Sequence, residues 1–353
     1  MAQLNETKLH QFVGRMLGDM GAALGAALIL VGDRLGLYKA LAEAGPMTAV
    51  ELAKATGTAE RYVREWLAAQ AAAGYTEYDA ATHKFSLSPE QAAVFADENG
   101  PAFLAGFYDI VAAAVRDEPK ITEAFKTGKG VGWHEHHTCL FRGTERFFRT
   151  SYNHHLVQEW LPALDGVAGK LEDGGLVADI GCGHGASTIL MAQAFPQSRF
   201  HGFDYHLPSI ERARASAKAA GVGDRCSFEV AAAKDYPGRG YDLVAFFDCL
   251  HDMGDPVGAA RHVRKSLAPD GTWMVVEPFA GDHLHENLNA VGRVYYAAST
   301  MICTPASLSQ EVGLGLGAQA GEARLKEVAT AGGFGRFRRA AATPFNLVLE
   351  ARP

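Results

Sequence analysis

The sequence predicts an α/β fold preceded by a mostly helical winged-helix segment. From Leu176 onward, β-prone runs alternate with helical stretches, the texture of a largely parallel sheet covered by helices. At the head of that region, LVADIGCGHGAST (176–188) reads as a buried strand entering a glycine-rich turn and then a helix. Ahead of it, residues 47–88 read as helix, turn, helix and two short β-prone runs.

Residues 8–44 read as helix, rich in alanine and broken by glycines, with Leu30, Leu35, Leu37 and Leu41 on one stripe. Thr48 and Thr58 are placed to cap the two helices that follow, around a turn at Gly57. YTEY and HKFSLS then form the wing, which bounds a first domain at 1–96. Residues 97–164 read as a helical linker carrying many aromatics and histidines. Residues 165–353 form the α/β domain, interrupted by a helical insertion at 282–320. The turn Pro269-Asp270-Gly271 leads into a strand, and a terminal pair of β-prone runs predicts an antiparallel end to the sheet.

The chain of 353 residues is 48% hydrophobic and 21% charged, which allows two cores. Its formal charge of −7 gives no basic surface for nucleic acid. Residues 1–100 hold 8 Lys/Arg against 12 Asp/Glu, and the second helix of the winged pattern sets Arg61 and Arg64 beside Glu60 and Glu65. No DNA contact is therefore expected from the winged helix. The longest apolar run, at 22–32, is short for a bilayer, so no membrane partner is expected. Five cysteines, odd in number and without a CxxC pair, suggest reduced thiols and a cytoplasmic protein.

Gly181, Gly183 and Gly185 permit a tight turn and close approach of a ligand to the backbone. Gly181, Gly183 and Ala186 also satisfy GxGxxA, so the loop alone does not separate a dinucleotide from another nucleoside. Asp179 does, because its carboxylate at the strand end would repel a diphosphate but suits the ammonium and sulfonium of S-adenosylmethionine. Asp204, at the end of SRFHGFDY and 19 residues past Gly185, is placed to accept from ribose hydroxyls.

With DIGCGHG, Asp204, the strand before His251 and the closing β pair in this order, residues 165–353 resemble the class I S-adenosylmethionine-dependent methyltransferases. The whole chain resembles the small-molecule O-methyltransferases of plants and bacteria, most of all a mycobacterial-type branch. The resemblance implies a Rossmann-like domain with a mixed seven-stranded sheet. It also implies S-adenosylmethionine as cofactor, S-adenosylhomocysteine as product, and no metal. It places the cofactor against Asp179, Gly181, Cys182, Gly183 and Gly185, then Asp204 and Tyr205. Further contacts fall on Phe247 and Asp248 and, where the family often has an adenine-binding aspartate, on Ala232 and Ala233.

In the resembling enzymes an LHD-type sequence carries a catalytic histidine, and Leu250-His251-Asp252 matches it. A neutral imidazole suits removal of a hydroxyl proton. The resemblance orients it with Glu277 of VVEP, and a second carboxylate position falls on Gln319, with Glu322 nearby. A structural histidine at a strand end is the other reading of His251. The reaction expected is methylation of a hydroxyl on a small aromatic or polycyclic acceptor. The alternatives are N- or C-methylation with His251 only positioning the acceptor, or a cofactor-sensing regulator without turnover.

GWHEHHTCLF (132–141) misses HExxH because residue 138 is threonine. His134 and His136, two apart on a helix, would diverge. Trp133 and His134 are read as a substrate-pocket wall or as plain packing. In the insertion, Tyr295, Tyr296, Ser299 and Met301 line a pocket or belong to a core. The alanine-rich first helices and the resemblance together predict a homodimer.

Overall fold

A computed structural model describes residues 4–353. They divide into two units, one of residues up to 113 with 138–150, the other of 114–137 with 151–353.

In the first unit, α1 (Glu6–Arg34) starts at Asn5, whose side chain accepts from the Lys8 backbone N–H. Gly36, at φ 68°, breaks the path, so the helix expected over 8–44 is two helices, α1 and α2 (Leu37–Ala44). Thr48 caps α3 (Ala49–Thr56) in a full capping box with Glu51. Thr58 does not cap α4 (Glu60–Ala72): Ala59 holds that position without a side-chain bond. The Thr58 N–H is still closing α3 on the Ala53 carbonyl, and its hydroxyl meets that of Thr56 at 2.8 Å. The wing is an antiparallel pair, β1 (Glu77–Asp79) and β2 (Lys84–Ser86), with Tyr78 opposite Phe85. Helix α5 (Pro89–Phe95) follows, capped by Ser88.

Ile29, Leu37, Tyr38, Leu41, Leu52, Trp66, Leu67 and Phe95 form the core of this unit. Tyr38 stacks on Phe95 at 4.7 Å and donates to Gln70 at 2.7 Å, so its buried hydroxyl is satisfied. Arg61 and Arg64 each pair with a glutamate of α4 itself. α6 (Phe107–Thr127) and α7 (Cys139–Ser151) bring Asp109, fully buried, onto Arg34 and Arg142. Arg146 joins Asp33 to Glu98. By contrast, α1 exposes Leu9, Phe12, Val13, Met16, Leu17, Met20 and Leu24. By length and composition, this 29-residue helix, with an 18-residue window of mean hydropathy 1.5, could cross a bilayer, beyond what the run at 22–32 suggested; 22% of that window is buried.

In the second unit, α8 (Val167–Asp173) leads into a doubly wound array. It comprises β3 (Leu176–Ile180), α9 (Ala186–Ala194), β4 (Arg199–Asp204), α10 (Leu207–Ala219), β5 (Cys226–Val230), β6 (Tyr241–Phe247), α11 (Pro256–Ser266) and β7 (Leu267–Pro278). The insertion holds α12 (Ala290–Ala298) and α13 (Thr304–Leu308); α14 (Gly321–Ala331), β8 (Arg336–Ala342) and β9 (Asn346–Arg352) complete the unit. Two π-helical stretches, Tyr152–Trp160 and Ser299–Cys303, interrupt the helical regions.

The sheet order is β5-β4-β3-β6-β7-β9-β8, parallel except at β9. Pro269-Asp270-Gly271 lies within β7 as an irregularity: Leu267 pairs with Tyr241, and pairing resumes at Thr272 opposite Leu243. Continuous apolar runs such as LVAFF make the strands buried on both faces. Ile180, Phe203, Phe246, Trp273, Val275, Leu347 and Leu349 fill the core. Strand order reverses between β3 and β6, and in open α/β sheets ligands bind at such a switch point, outside the carboxyl ends of the strands.

Candidate active site

The carboxyl ends of four strands lie at this switch point. After β3, Gly181, Gly183 and Gly185 turn with φ of 72°, 52° and 79°, a path that L side chains rarely follow. The turn is pinned to β4: Gly181 and Cys182 N–H groups donate to the Phe203 carbonyl, and Gly183 N–H donates to Asp204 Oδ2 at 3.0 Å. A Cβ on Gly181 would press on Cys249 Sγ at 2.9 Å, whereas one on Gly183 would meet nothing within 4 Å. The loop is therefore tight against the sheet on one side and open on the other.

Asp179 is buried, and its Oδ2 accepts from Ser187 and Thr188 hydroxyls of α9, both at 2.6 Å. Its Oδ1 is buried without a hydrogen-bond partner. Burial, with a smaller push from Asp204, outweighs the lowering by the two hydroxyls and holds this carboxyl at about 6. An orphaned acceptor behind a glycine loop is the electrostatic complement of a cationic donor, not of a phosphate. Asp204 Oδ1 accepts from His206 N–H at 2.8 Å, and burial raises its carboxyl too.

At the end of β6, Asp248 takes φ 51°. Its oxygens accept from Tyr152 Oη at 3.2 Å and Asn346 Nδ2 at 2.9 Å. His251 follows in a one-turn 3₁₀ helix, Leu250–Asp252, and is 3% exposed. Glu277, ending β7, fixes this turn with both oxygens: Oε1 accepts from Leu250 N–H at 2.9 Å, and Oε2 lies 2.5 Å from His251 Nδ1. The imidazole is thereby held with its proton on Nδ1 and Nε2 as the reactive nitrogen. Nε2 lies 3.2 Å from Asp252 Oδ1 and contacts the Cys303 thiol. Burial opposes a charged imidazole, but Glu277 and Asp252 outweigh it and hold His251 well above the ordinary histidine value.

This geometry accords with the family matches. Residues 22–96 match the family described as Rv2258c-like winged HTH domain, and residues 171–331 the family described as Methyltransferase domain. Residues 22–96 thus form a winged helix-turn-helix domain and residues 171–331 a methyltransferase domain. It is similar to 27-O-demethylrifamycin SV methyltransferase of Amycolatopsis mediterranei, 36% identical over 111 residues, which are 30% of this chain and 40% of that protein. The chain spans less than half the length of the curated relatives it matches, at most 49%. In fold it is similar to mitomycin 7-O-methyltransferase, with TM-score 0.69, 22% identity, and coverage of 98% of this chain and 100% of that one. It is also similar to human N-acetylserotonin methyltransferase solved with S-adenosylmethionine, with TM-score 0.72, 15% identity, and coverage of 96% and 97%.

The methyltransferase domain brings Asp179, the glycine loop with Cys182, Asp204, Phe247, Asp248, His251 and Glu277 to one sheet edge. Phe247 is buried 5.3 Å from the Tyr152 ring, while Tyr205 is 47% exposed. Ala232 and Ala233 are half-buried after β5, and Ala232 N–H donates to Asp235 Oδ1 at 3.1 Å. Neither residue weighed as the second support of His251 reaches it. Gln319 donates to the Phe279 and Ala318 carbonyls, and Glu322 pairs with Arg339. Asp252 and Cys303 occupy that side instead.

The histidine-rich segment is a 3₁₀ turn, Trp133–Glu135, not a helix. Trp133 is half-buried and His134 exposed; His136 is buried, its Nδ1 3.0 Å from Asp117 Oδ2. In the insertion, Tyr295 Oη donates to the Phe345 carbonyl and Ser299 Oγ accepts from Ala318 N–H, so both hydroxyls serve the fold. Tyr296 and Met301 are half-buried. Tyr152, Asn346, Asp252 and Cys303 are site residues that sequence reasoning did not single out. Asp252 was visible within LHD, whereas the other three come from distant segments without a motif.

Proposed function

We propose that the chain methylates a hydroxyl of a small, aromatic or polycyclic acceptor, with S-adenosylmethionine as donor and His251 as general base. The observation that carries this reading is the Glu277-held imidazole at the sheet edge that also holds the glycine loop and the orphaned Asp179 oxygen. When bound, S-adenosylmethionine supplies a methyl group activated by a sulfonium. Asp179 Oδ1 receives the cofactor's ammonium, Asp204 its ribose hydroxyls, and the open side of Gly183 its chain. His251 Nε2 takes the acceptor's proton, and Glu277 holds the imidazolium so formed. Alignment of donor and acceptor supplies the rest of the acceleration. Fold-level likeness to mitomycin 7-O-methyltransferase supports the reading.

A second reading has a specific observation behind it. With carboxylates at both nitrogens, His251 tends to stay protonated. A protonated imidazole positions an acceptor but takes no proton, as N- or C-methylation would need. Transfer of labelled methyl to a panel of phenols, hydroxylated polyketides and amines, with wild type and His251→Ala, decides between them. The base reading expects labelled phenols and a loss of about 10²- to 10⁴-fold in the variant. Label on amines, or transfer that survives the substitution, rejects it.

The acceptor is proposed to be enclosed by Trp133, His134, Tyr296 and Met301. The chain is also proposed to form a homodimer through the exposed apolar face of α1 and to act in the cytoplasm.

A further inference from the structure

We infer that His251 Nε2, Asp252 Oδ1 and Cys303 Sγ form a binding site for a thiophilic divalent cation of the zinc class, and that the ion silences the proposed base. The three ligand atoms lie within 4.8 Å of one another. Zinc holds nitrogen and oxygen ligands at about 2.0–2.1 Å in tetrahedral array, so two such ligands sit about 3.3 Å apart. The Nε2–Oδ1 separation here is 3.2 Å.

The cluster has the chemistry of a metal site in three further respects. First, Glu277 accepts a hydrogen bond from His251 Nδ1–H and so directs the Nε2 lone pair inward, the carboxylate–histidine arrangement that orients metal-bound imidazoles. Second, Asp252 Oδ1 is buried and lacks an aligned hydrogen bond despite its nearness to Nε2. Third, the Cys303 sulfur lies within 4.8 Å of the ligand atoms of both His251 and Asp252. One S–H proton cannot serve two acceptors, while a cation satisfies both together with the thiolate. Binding releases the thiol proton and needs no oxidant. A thiolate and a carboxylate then balance the two charges of the ion, and a fourth position remains for water.

The site is set by folding rather than by sequence spacing. His251 and Asp252 sit in the turn after β6, and Cys303 ends the π-helical stretch before α13. The inhibitory consequence rests on the base reading of His251; the binding site does not.

Titration of the full chain with Co²⁺ separates the two. One equivalent is expected to give tetrahedral d–d bands and a near-ultraviolet thiolate-to-cobalt charge-transfer band, displaced by Zn²⁺. Cys303→Ser removes the charge-transfer band. Asp252→Asn keeps it but lowers affinity, which guards against a serine variant that fails to fold. Glu277→Gln weakens binding by about 10- to 100-fold. No charge-transfer band, or an unchanged band in Cys303→Ser, overturns the site. With a transferable acceptor, Zn²⁺ should stop methylation and a chelator restore it. A full cobalt signal without such inhibition overturns the silencing. Methylation that survives His251→Ala defeats the base reading and leaves the cobalt result standing.

Discussion

At the scale of single residues, two buried titrating groups make the site dependent on pH, and both favour function as pH rises. The Asp179 carboxyl sits at about 6. A cationic ligand needs it ionised, so affinity for S-adenosylmethionine should rise from pH 5 to 7 and proton release accompany binding below that value. Calorimetry in buffers of different ionisation enthalpy measures both. Asp179→Asn should weaken binding by about 10- to 100-fold, the range of a lost charge-assisted hydrogen bond, and flatten the pH dependence. His251 lies well above the ordinary histidine value, against burial and because of Glu277 and Asp252. A base must be neutral, so the acid limb of kcat/KM should lie above pH 6.5, and Glu277→Gln should move it toward lower pH. For folding the sign differs. The raised imidazole stabilises the native state below about pH 6.5, and this contribution is lost as pH rises through the folded value. Melting temperature against pH should show that loss in wild type and less of it in Glu277→Gln. The His251–Glu277 pair was legible because each residue ends an adjacent strand of a recognisable array. The Cys303 contact was not, because no local pattern says which side of the imidazole a residue 52 positions later will meet.

At the scale of elements, caps and glycines decide where helices begin and how closely they pack. Thr48→Ala removes a full capping box, and chemical denaturation should show a loss of about 1 kcal/mol. The glycines of α1 differ from one another. A Cβ on Gly32 would lie 2.5 Å from the Trp66 ring and 2.6 Å from that of Tyr38, whereas Gly14, Gly18, Gly21 and Gly25 have nothing within 4 Å. Gly32→Ala should therefore destabilise the first unit by about 1–3 kcal/mol through overpacking. The misplaced cap at Thr58 shows the limit of reading caps from sequence. Residue type was right, but one residue of Schellman-type closure at the end of α3 moved the start of α4 past it. The π-helical stretches had no signal either, although each delivers a site residue, Tyr152 to Asp248 and Cys303 to His251. An inserted residue re-aims the side chains after it, which is why such bulges recur near functional positions.

At the scale of the whole molecule, the two-part order and the mixed sheet were legible because long apolar runs, glycine turns and a winged pattern occur in sequence order. How α1 is used was not, since its exposed leucines and phenylalanine read equally as core. If that face joins two copies, sedimentation should give a dimer at micromolar concentration. Gly18→Leu should then weaken association while leaving the melting of the separate chain nearly unchanged; a monomeric wild type rejects the interface. One feature of the sheet bears on synthesis. β9 lies between β7 and β8, although it is the last of the strands to be translated. Until residues 346–352 emerge from the ribosome, β8 has no neighbour in this sheet, and the apolar edge of β7 stays bare. Chains that lack β9 therefore carry an open, apolar strand edge, and a truncation before Asn346 is expected to aggregate where the finished, well-buried sheet does not.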